Sequence, residues 1–310
     1  MLVVVSGSSG LVGQALVPAL RIAGHQVLCL QRNLPAQDDL LGWEPNSGMI
    51  DWGIHSASAP DCWIHLAGEN IAQKRWTRER KLEFRRSRVE ATTALVSTLL
   101  QRSTHPTTFI CASAIGFYGD REEECVDEYS PPGDGFLAEL AIDWERATEP
   151  LSQAGCRVVN ARFGIILSIA GGALSKMMPT FRMGLGATLG TGKQWMSWIS
   201  LQDVISALFH VMNDFALSGS VNIVSPEPIR NADFSKVLAR ILRRPRFLRM
   251  PSSFLRIVAG EMADAFLLTS QRVIPTRLIE SGFIFSDPSL APALSNIITK
   301  SDLGSSRNPD

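Results

Sequence analysis

No sign of charge predominates in this chain. Its 310 residues carry 30 Lys and Arg against 30 Asp and Glu, a formal net charge of zero. Such a balance lacks the strong field that draws a protein to nucleic acid or to an anionic membrane, and neither is expected as a partner. Long apolar runs are missing as well, since no stretch reaches the about 18 residues that a membrane span needs. Residues 1–20 carry no charged side chain, yet no basic segment precedes the apolar one, and three glycines and three serines interrupt it. It reads as a buried strand and loop rather than a targeting leader. The five cysteines, Cys29, Cys62, Cys111, Cys125 and Cys156, contain no C-x-x-C pair. All but Cys125 fall in or beside apparent strands, the pattern of buried, reduced thiols in a cytoplasmic protein. Tyrosine is scarce, with Tyr118 and Tyr129 alone, and no internal repeat is visible.

What is present is globular: 45% apolar and 19% charged residues, enough chain for one large domain or two modest ones. Leu2 to Val5 is an apolar strand that runs into Ser6-Gly7-Ser8-Ser9-Gly10-Leu11-Val12-Gly13. Gly7, Gly10 and Gly13 are three apart, and a helical stripe of Leu11, Val12, Ala15, Leu16, Ala19 and Leu20 follows, with Pro18 an awkward member. Glycine lets the backbone turn sharply and lets a pyrophosphate come close, while the helix N-terminus faces the anion. Further strands are expected at Gln26–Leu30, Trp63–Ala67, Thr108–Ala112 and Arg157–Ala161, with helices over about 78–101 and 136–153. Alternating β-α units imply an α/β fold with a Rossmann-like, doubly wound parallel sheet. Residues 170–195, rich in Gly and Met, read as irregular, and 226–298 as mostly helical. The expected division is a nucleotide-binding domain over 1–168, to which 200–225 returns. A smaller, mostly helical substrate-side cap follows over 169–199 and 226–300, with a loose tail over 301–310.

Strand two ends in Gln31-Arg32, where an Asp or Glu would hold the 2′-hydroxyl of NAD. Arg32 offers a cation for a 2′-phosphate instead, which favours NADP(H). His65, in Ile64-His65-Leu66-Ala67-Gly68, reads as a packed strand residue. No His, Cys or carboxylate stands at metal-ligand spacing to it, so no metal is expected. Arg162 follows a strand and is expected either beside a bound cofactor or as a buried structural arginine. Arg243, Arg244, Arg246 and Arg249 read as a solvated basic end rather than an anion site.

Several motifs occur in the order found in extended short-chain dehydrogenases. They are the Gly7–Gly13 loop, Leu66-Ala67-Gly68, Ala112-Ser113-Ala114-Ile115-Gly116-Phe117-Tyr118-Gly119 and Trp198-Ile199-Ser200-Leu201-Gln202-Asp203. More narrowly, the chain resembles an atypical subgroup, the epimerase family proteins of cell-division-inhibitor-like type. That match rests on Leu66-Ala67-Gly68-Glu69-Asn70, Arg75-Trp76, Ser87-Arg88, Trp144-Glu145, Gly171-Gly172-Ala173, Gly190-Thr191-Gly192 and Val273-Ile274-Pro275. The resemblance implies cofactor contacts from Gln31, Arg32, Leu66, Ala67, Glu83 and Arg88. It also implies a serine, Ser113, that hydrogen-bonds the reacting oxygen, and a C-terminal accessory domain over the substrate. A homodimer through the helices at 78–101 and 136–153 is a further expectation.

The chain departs from that pattern at one place. Short-chain dehydrogenases use a Tyr-x-x-x-Lys pair, in which the Lys lowers the Tyr pKa and the phenol moves a proton. Here Tyr118 is followed four on by Glu122 and Tyr129 by Gly133, and the expected place after Ser113 holds Phe136 and Leu140. Two functions therefore stand open: an NADP(H)-dependent oxidoreductase or epimerase acting on a small molecule with an altered proton donor, or an NADP(H)-sensing regulator that does little chemistry.

Overall fold

The computed structural model describes residues 1–32, 35–57 and 59–305. Val3, Val4 and Val5 of strand β1 (Leu2–Ser6) have no solvent exposure. A strand covered on both faces belongs in the middle of a helix-flanked parallel sheet. The sheet is built from β1, β2 (Gln26–Arg32), β3 (Leu40–Trp43), β4 (Ile50–Asp51), β5 (Cys62–His65), β6 (Thr108–Ala114) and the strands Arg157–Phe163 and Gly219–Ile223. Their order across the sheet is Gly219–Ile223, Arg157–Phe163, β6, β5, β1, β2, β3, β4. The pairs from β3 through β2, β1 and β5 to β6 are parallel, and β4 is antiparallel on β3. The register sets Ser6 beside both Leu30 and His65, so Gly7 and Leu66 leave the sheet at one edge, beside Gln31, which continues in β2 opposite Gly42 of β3. The chain moves outward from β1 in opposite directions, to β2 on one side and β5 on the other. Open α/β sheets bind ligands at such a switch point.

Helix α1 (Leu11–Ile22) buries Leu16, Val17 and Leu20, while Pro18 lies on its exposed side. The expected helix at 78–101 is three pieces: α2 (Arg78–Arg85), a π-helical segment Arg86–Glu90, and α3 (Ala91–Leu100). Thr77 caps α2 by accepting the Arg80 N–H. The expected helix at 136–153 divides into α4 (Phe136–Arg146) and a short helix Glu149–Gln153 that has Pro150 in its first turn. Proline is well tolerated at that position and poorly within a helix.

The chain forms two compact units. One holds Met1–Phe117, Phe136–Arg162 and Ala207–Val221; the other holds Tyr118–Gly135, Phe163–Ser206 and the chain from Asn222 on. The second unit packs Leu174, Met178, Phe181, Trp198, Phe234 and Leu294 into a core of its own. Residues 170–195 are less irregular than their composition predicts, because Gly172–Arg182 is a helix that buries Leu174, Met178 and Phe181. The last helix runs from Leu290 to Ser305, five residues into the segment read as a tail, and 306–310 lie outside the described residues. Cys29, Cys62, Cys111 and Cys156 are buried free thiols, and Cys125 is exposed. Among the described residues no helix is long and apolar enough to cross a membrane, and no group of His, Cys, Asp and Glu is arranged to hold a metal ion.

Candidate functional site

The loop after β1 closes on the strand end after β5. Gly7 has φ +70°, and a Cβ there would stand 2.7 Å from the Leu66 carbonyl carbon and 2.9 Å from the Ala67 nitrogen. Gly13 in the first turn of α1 is tighter still, its absent Cβ 2.3 Å from the Gly7 oxygen. Gly10 caps α1 with no side chain, and the first turn holds no acidic residue. Such a helix start leaves backbone N–H groups and the positive end of its dipole for an anion. Beside it lies a cleft of about 360 Å³, lined by Gly7, Ser8, Ser9 and Gly10, by Leu30, Gln31 and Arg32, and by Leu66, Ala67, Gly68 and Glu69. Trp43, Pro45, Ser87 and Ala91 complete it. Arg32 is exposed, and among the described residues no carboxylate forms an ion pair with it.

Four side chains fix the far wall. Ser6 Oγ accepts the backbone N–H of Leu66 at 3.2 Å and of Ala67 at 3.4 Å, so its own proton goes to His65 Nδ1 at 2.7 Å. His65 Nε2 then carries the ring hydrogen and donates to Thr92 Oγ1 at 3.1 Å, which also accepts from Trp144 Nε1 at 3.0 Å. The imidazole lies fully buried, near Trp43 and Phe109. Burial pulls its pKa down to about 4 from an ordinary 6.5. His65 is therefore a neutral, packed strand residue, as its setting in the sequence implies.

That shift makes stability depend on pH. Between pH 6.5 and about 4 the unfolded chain takes up the His65 proton and the folded chain does not. The contribution is complete above 6.5 and is lost as pH falls toward 4. Two to three pKa units correspond to about 3 kcal/mol. In urea unfolding, wild type is expected to lose that amount relative to His65→Gln between pH 7 and pH 4, and an unchanged difference would refute it.

The π-helical segment supports the next residues of the strand end. Ser87 Oγ accepts the Glu69 N–H at 3.1 Å, and Arg88 Nη2 donates to the Glu69 carbonyl at 2.8 Å. Arg88 also lies 5.1 Å over the Trp144 ring and 3.3 Å from where a Gly68 Cβ would sit. Desolvation lowers its pKa to about 10, with the Glu69 charge acting the other way. A π-helical turn inside an α-helix is often found at functional sites.

A second cluster gathers at the carboxyl ends of β6 and Arg157–Phe163. The Ser113 hydroxyl donates to Glu145 Oε1 at 2.6 Å. Arg162 grips the same carboxylate twice, Nε to Oε1 and Nη2 to Oε2, both at 2.8 Å, and Ser220 adds a bond to Oε2 at 3.1 Å. Only 4% of the Arg162 side chain and 12% of the Glu145 side chain are exposed. The Arg162 guanidinium lies 3.4 Å over the Phe117 ring.

Neither tyrosine offers a proton to such a site. Tyr118 is fully buried and its hydroxyl donates to Asn222 Oδ1 at 2.9 Å. Tyr129 is largely exposed, with its hydroxyl 3.4 Å from Glu280. Phe136, in the place of the missing tyrosine, packs on Trp76 with centroids 5.7 Å apart and has Lys81 Nζ 4.9 Å from its ring centre. Leu140 is buried.

The residues singled out from the sequence thus fall into four groups. Gly7, Ser8, Ser9, Gly10, Gln31, Arg32, Leu66, Ala67 and Gly68 line one cleft. Leu11, Val12 and Gly13 form the helix start behind it, and Arg88 backs Gly68. Ser113 and Arg162 meet on Glu145. Glu83 stands apart, half-exposed and paired with Arg80, which also reaches Glu69 at 3.3 Å. Sequence reasoning missed Trp43 and Pro45 in the cleft, and Ser220 and the bonds that join Ser113 and Arg162 to Glu145 in the second cluster, although Glu145 itself was, with Glu69 and Asp143, a candidate proton donor. The Trp144-Glu145 motif was the one available sign of that cluster.

Relatives share this frame over nearly all of the chain. A profile described as "NAD dependent epimerase/dehydratase family" matches residues 3–224, and a "Domain of unknown function (DUF1731)" matches 250–297. Epimerase family protein Mb2239 of Mycobacterium bovis is 44% identical over 298 residues, covering 96% of this chain and 98% of that one. Epimerase family protein YfhF of Bacillus subtilis is 34% identical over 306 residues, with 96% and 98% covered. Among solved structures, human epimerase family protein SDR39U1 (isoform 2) with NADPH superposes with a TM-score of 0.86 at 31% identity, covering 96% of this chain and 99% of that one. On the match over residues 3–224 and these relatives, the chain belongs to the NAD dependent epimerase/dehydratase family.

Proposed function

We propose that the chain binds NADP(H) in the cleft between β1, β2 and β5 and works as an oxidoreductase or epimerase on a small molecule. The observation that carries this reading is the cleft wall: a glycine loop pressed on Leu66–Ala67, with Gln31 and Arg32, and no carboxylate, at the end of β2. The cleft of about 360 Å³ is within the range of small-molecule sites, and the room that Gly7 leaves at the Leu66 backbone suits a group that approaches the main chain closely. The capless start of α1 receives the pyrophosphate, Arg32 the 2′-phosphate, and Leu66, Ala67 and Gly68 lie along the cofactor. The human relative crystallised with NADPH supports the phosphorylated form.

NADPH, when bound, supplies a hydride. The protein must then handle the proton without Tyr-x-x-x-Lys. The Ser113 proton points to Glu145, so Ser113 Oγ meets a substrate hydroxyl as an acceptor. Ser113 and Glu145 then form a short path: an alcohol gives its proton to Ser113 Oγ as the Ser113 proton passes to Glu145. In the reverse direction a Glu145 carboxyl that has taken a proton from solvent returns it through Ser113 to the developing alkoxide oxygen. Arg162 holds the carboxylate in place.

Proton transfer by a positioned group is worth about 10²–10⁴-fold. With NADPH deuterated at the transferring position and a panel of small aldehydes and ketones, deuterium is expected in the alcohol product, with at least a hundredfold loss in Ser113→Ala. The second reading, an NADP(H) sensor, draws on Phe136 and Leu140 at the Tyr and Lys places. It predicts tight NADPH binding with no deuterium transfer to any carbonyl.

A further inference from the structure

The helix Ser252–Ala259 is apolar on both sides. Leu255 and Ala259 are buried and pack with Ala263 against Leu189, Met250 and Leu268. The opposite side presents Phe254, Ile257 and Val258, spaced i, i+3, i+4, with Ile257 72% exposed. A helix at a protein surface ordinarily turns a polar stripe outward. The apolar surface continues beyond the helix. Strand Leu248–Met250 pairs with Ala187–Leu189, and Gly184 lies against Pro245. Phe247, 89% exposed, is thereby brought toward exposed Met183 and Leu185. Clustered, uncovered side chains of this size mark an interaction surface.

Charge selects the occupant. From Phe234 to Gly260 the chain holds one Lys, six Arg and no carboxylate. Arg246 bonds Thr188, and Arg249 bonds the Thr191 carbonyl at 3.1 Å. The first carboxylates outside the run are Asp233 before it and Glu261 and Asp264 after it, and Asp264 is held by Arg256 at 2.9 Å. A second copy of the chain across a two-fold axis would set this cationic run against itself. Phe247 and Ile257 project almost free of neighbours, whereas the anchors of protein interfaces sit in fitted pockets. Protruding apolar side chains among arginines suit the headgroup region of an anionic bilayer, where the apolar groups enter and the cations stay at the phosphates.

We propose that the surface formed by helix Ser252–Ala259, Phe247 and the arginines from Arg243 to Arg256 docks the protein peripherally on anionic membranes. The zero net charge of the whole chain hides this local run.

The test is co-sedimentation of the full chain with vesicles of phosphatidylglycerol and phosphatidylcholine, against vesicles of phosphatidylcholine alone. Partition onto the anionic vesicles is expected to be at least tenfold stronger. It should fall steeply between about 50 and about 300 mM salt as screening shortens the reach of the arginines. Phe247→Ser/Ile257→Ser and Arg243→Glu/Arg244→Glu are each expected to lose tenfold or more, with melting curves unchanged because these positions are exposed. Equal partition onto both vesicle types, or variants that partition like wild type, would overturn the proposal. So would absence of vesicle binding accompanied by a dimer in ultracentrifugation that Ile257→Ser dissolves. Tight binding of poly-aspartate without vesicle binding would assign the surface to an acidic protein instead.

Discussion

Replacing Glu145 with alanine is expected to destabilise the protein by about 3–5 kcal/mol, the range for removing one partner of a buried ion pair. For a domain of this size that is a fall of roughly 10 °C in Tm. The physical reason is the company Glu145 keeps. Its two oxygens take both bonds from Arg162, one from Ser113 and one from Ser220, inside a cluster from which Arg162 is almost wholly shielded. Alanine removes the carboxylate and leaves a desolvated guanidinium facing a cavity. An exposed pair would cost about 1 kcal/mol or less. Two companion variants separate charge from shape. Glu145→Gln keeps the size and some hydrogen bonding and should cost less. Glu145→Ala combined with Arg162→Met should regain more than half of the loss, since apolar replacement of a buried pair is often neutral. If the double variant is as unstable as Glu145→Ala, the loss comes from packing around Trp144 and not from a stranded charge.

The second large effect belongs to Gly7. Alanine there must adopt φ +70° and place a Cβ 2.7 Å from the Leu66 carbonyl carbon. A strained backbone angle costs about 1–3 kcal/mol by itself. The contact atoms are backbone, held by Ser6 and His65, so no side chain can rotate away. The loop must lift off the strand end, and NADPH affinity is expected to fall more than a hundredfold. Gly24→Ala is the control. It also has a positive φ, +83°, but nothing stands within 4 Å of its Cβ position. It should cost about 1 kcal/mol of stability, the backbone penalty alone, and leave NADPH affinity as in wild type. Equal effects at the two glycines would show that strain, and not the close approach, governs the loop.

Much of this frame was readable in the residues. Buried parallel strands such as Val3–Val5 announce themselves as apolar runs, and the glycine loop marks its own turn. Elements whose stability comes from tertiary packing were harder to read. The short strand β3 contains Gly42 and only four residues, Leu40–Trp43, yet it brings Trp43 into the cleft. Helix Gly172–Arg182 begins at a glycine pair and carries Pro179, so local preference argues against it while buried Leu174, Met178 and Phe181 secure it. Nothing in Arg86–Glu90 advertises a π-helical turn. The Glu145 cluster joins residues 32 and 17 positions apart. Sequence spacing gives no means of telling which of 30 acidic residues meets which of 30 basic ones. Nor does spacing alone reveal that Glu83, marked by motif matching as a cofactor contact, pairs with Arg80.

The claim at the centre of this account is a phosphorylated dinucleotide held by the glycine loop and Arg32. It is tested most directly by titrating the protein with NADPH and with NADH, following nicotinamide fluorescence, in wild type and Arg32→Ala. A hydrogen-bonded charge contact is worth about 1.5–3 kcal/mol, so NADPH should bind at least tenfold more tightly than NADH in wild type. Arg32→Ala should erase that preference while leaving NADH binding unchanged. Equal affinity for the two nucleotides in wild type, or binding of neither, would contradict the account.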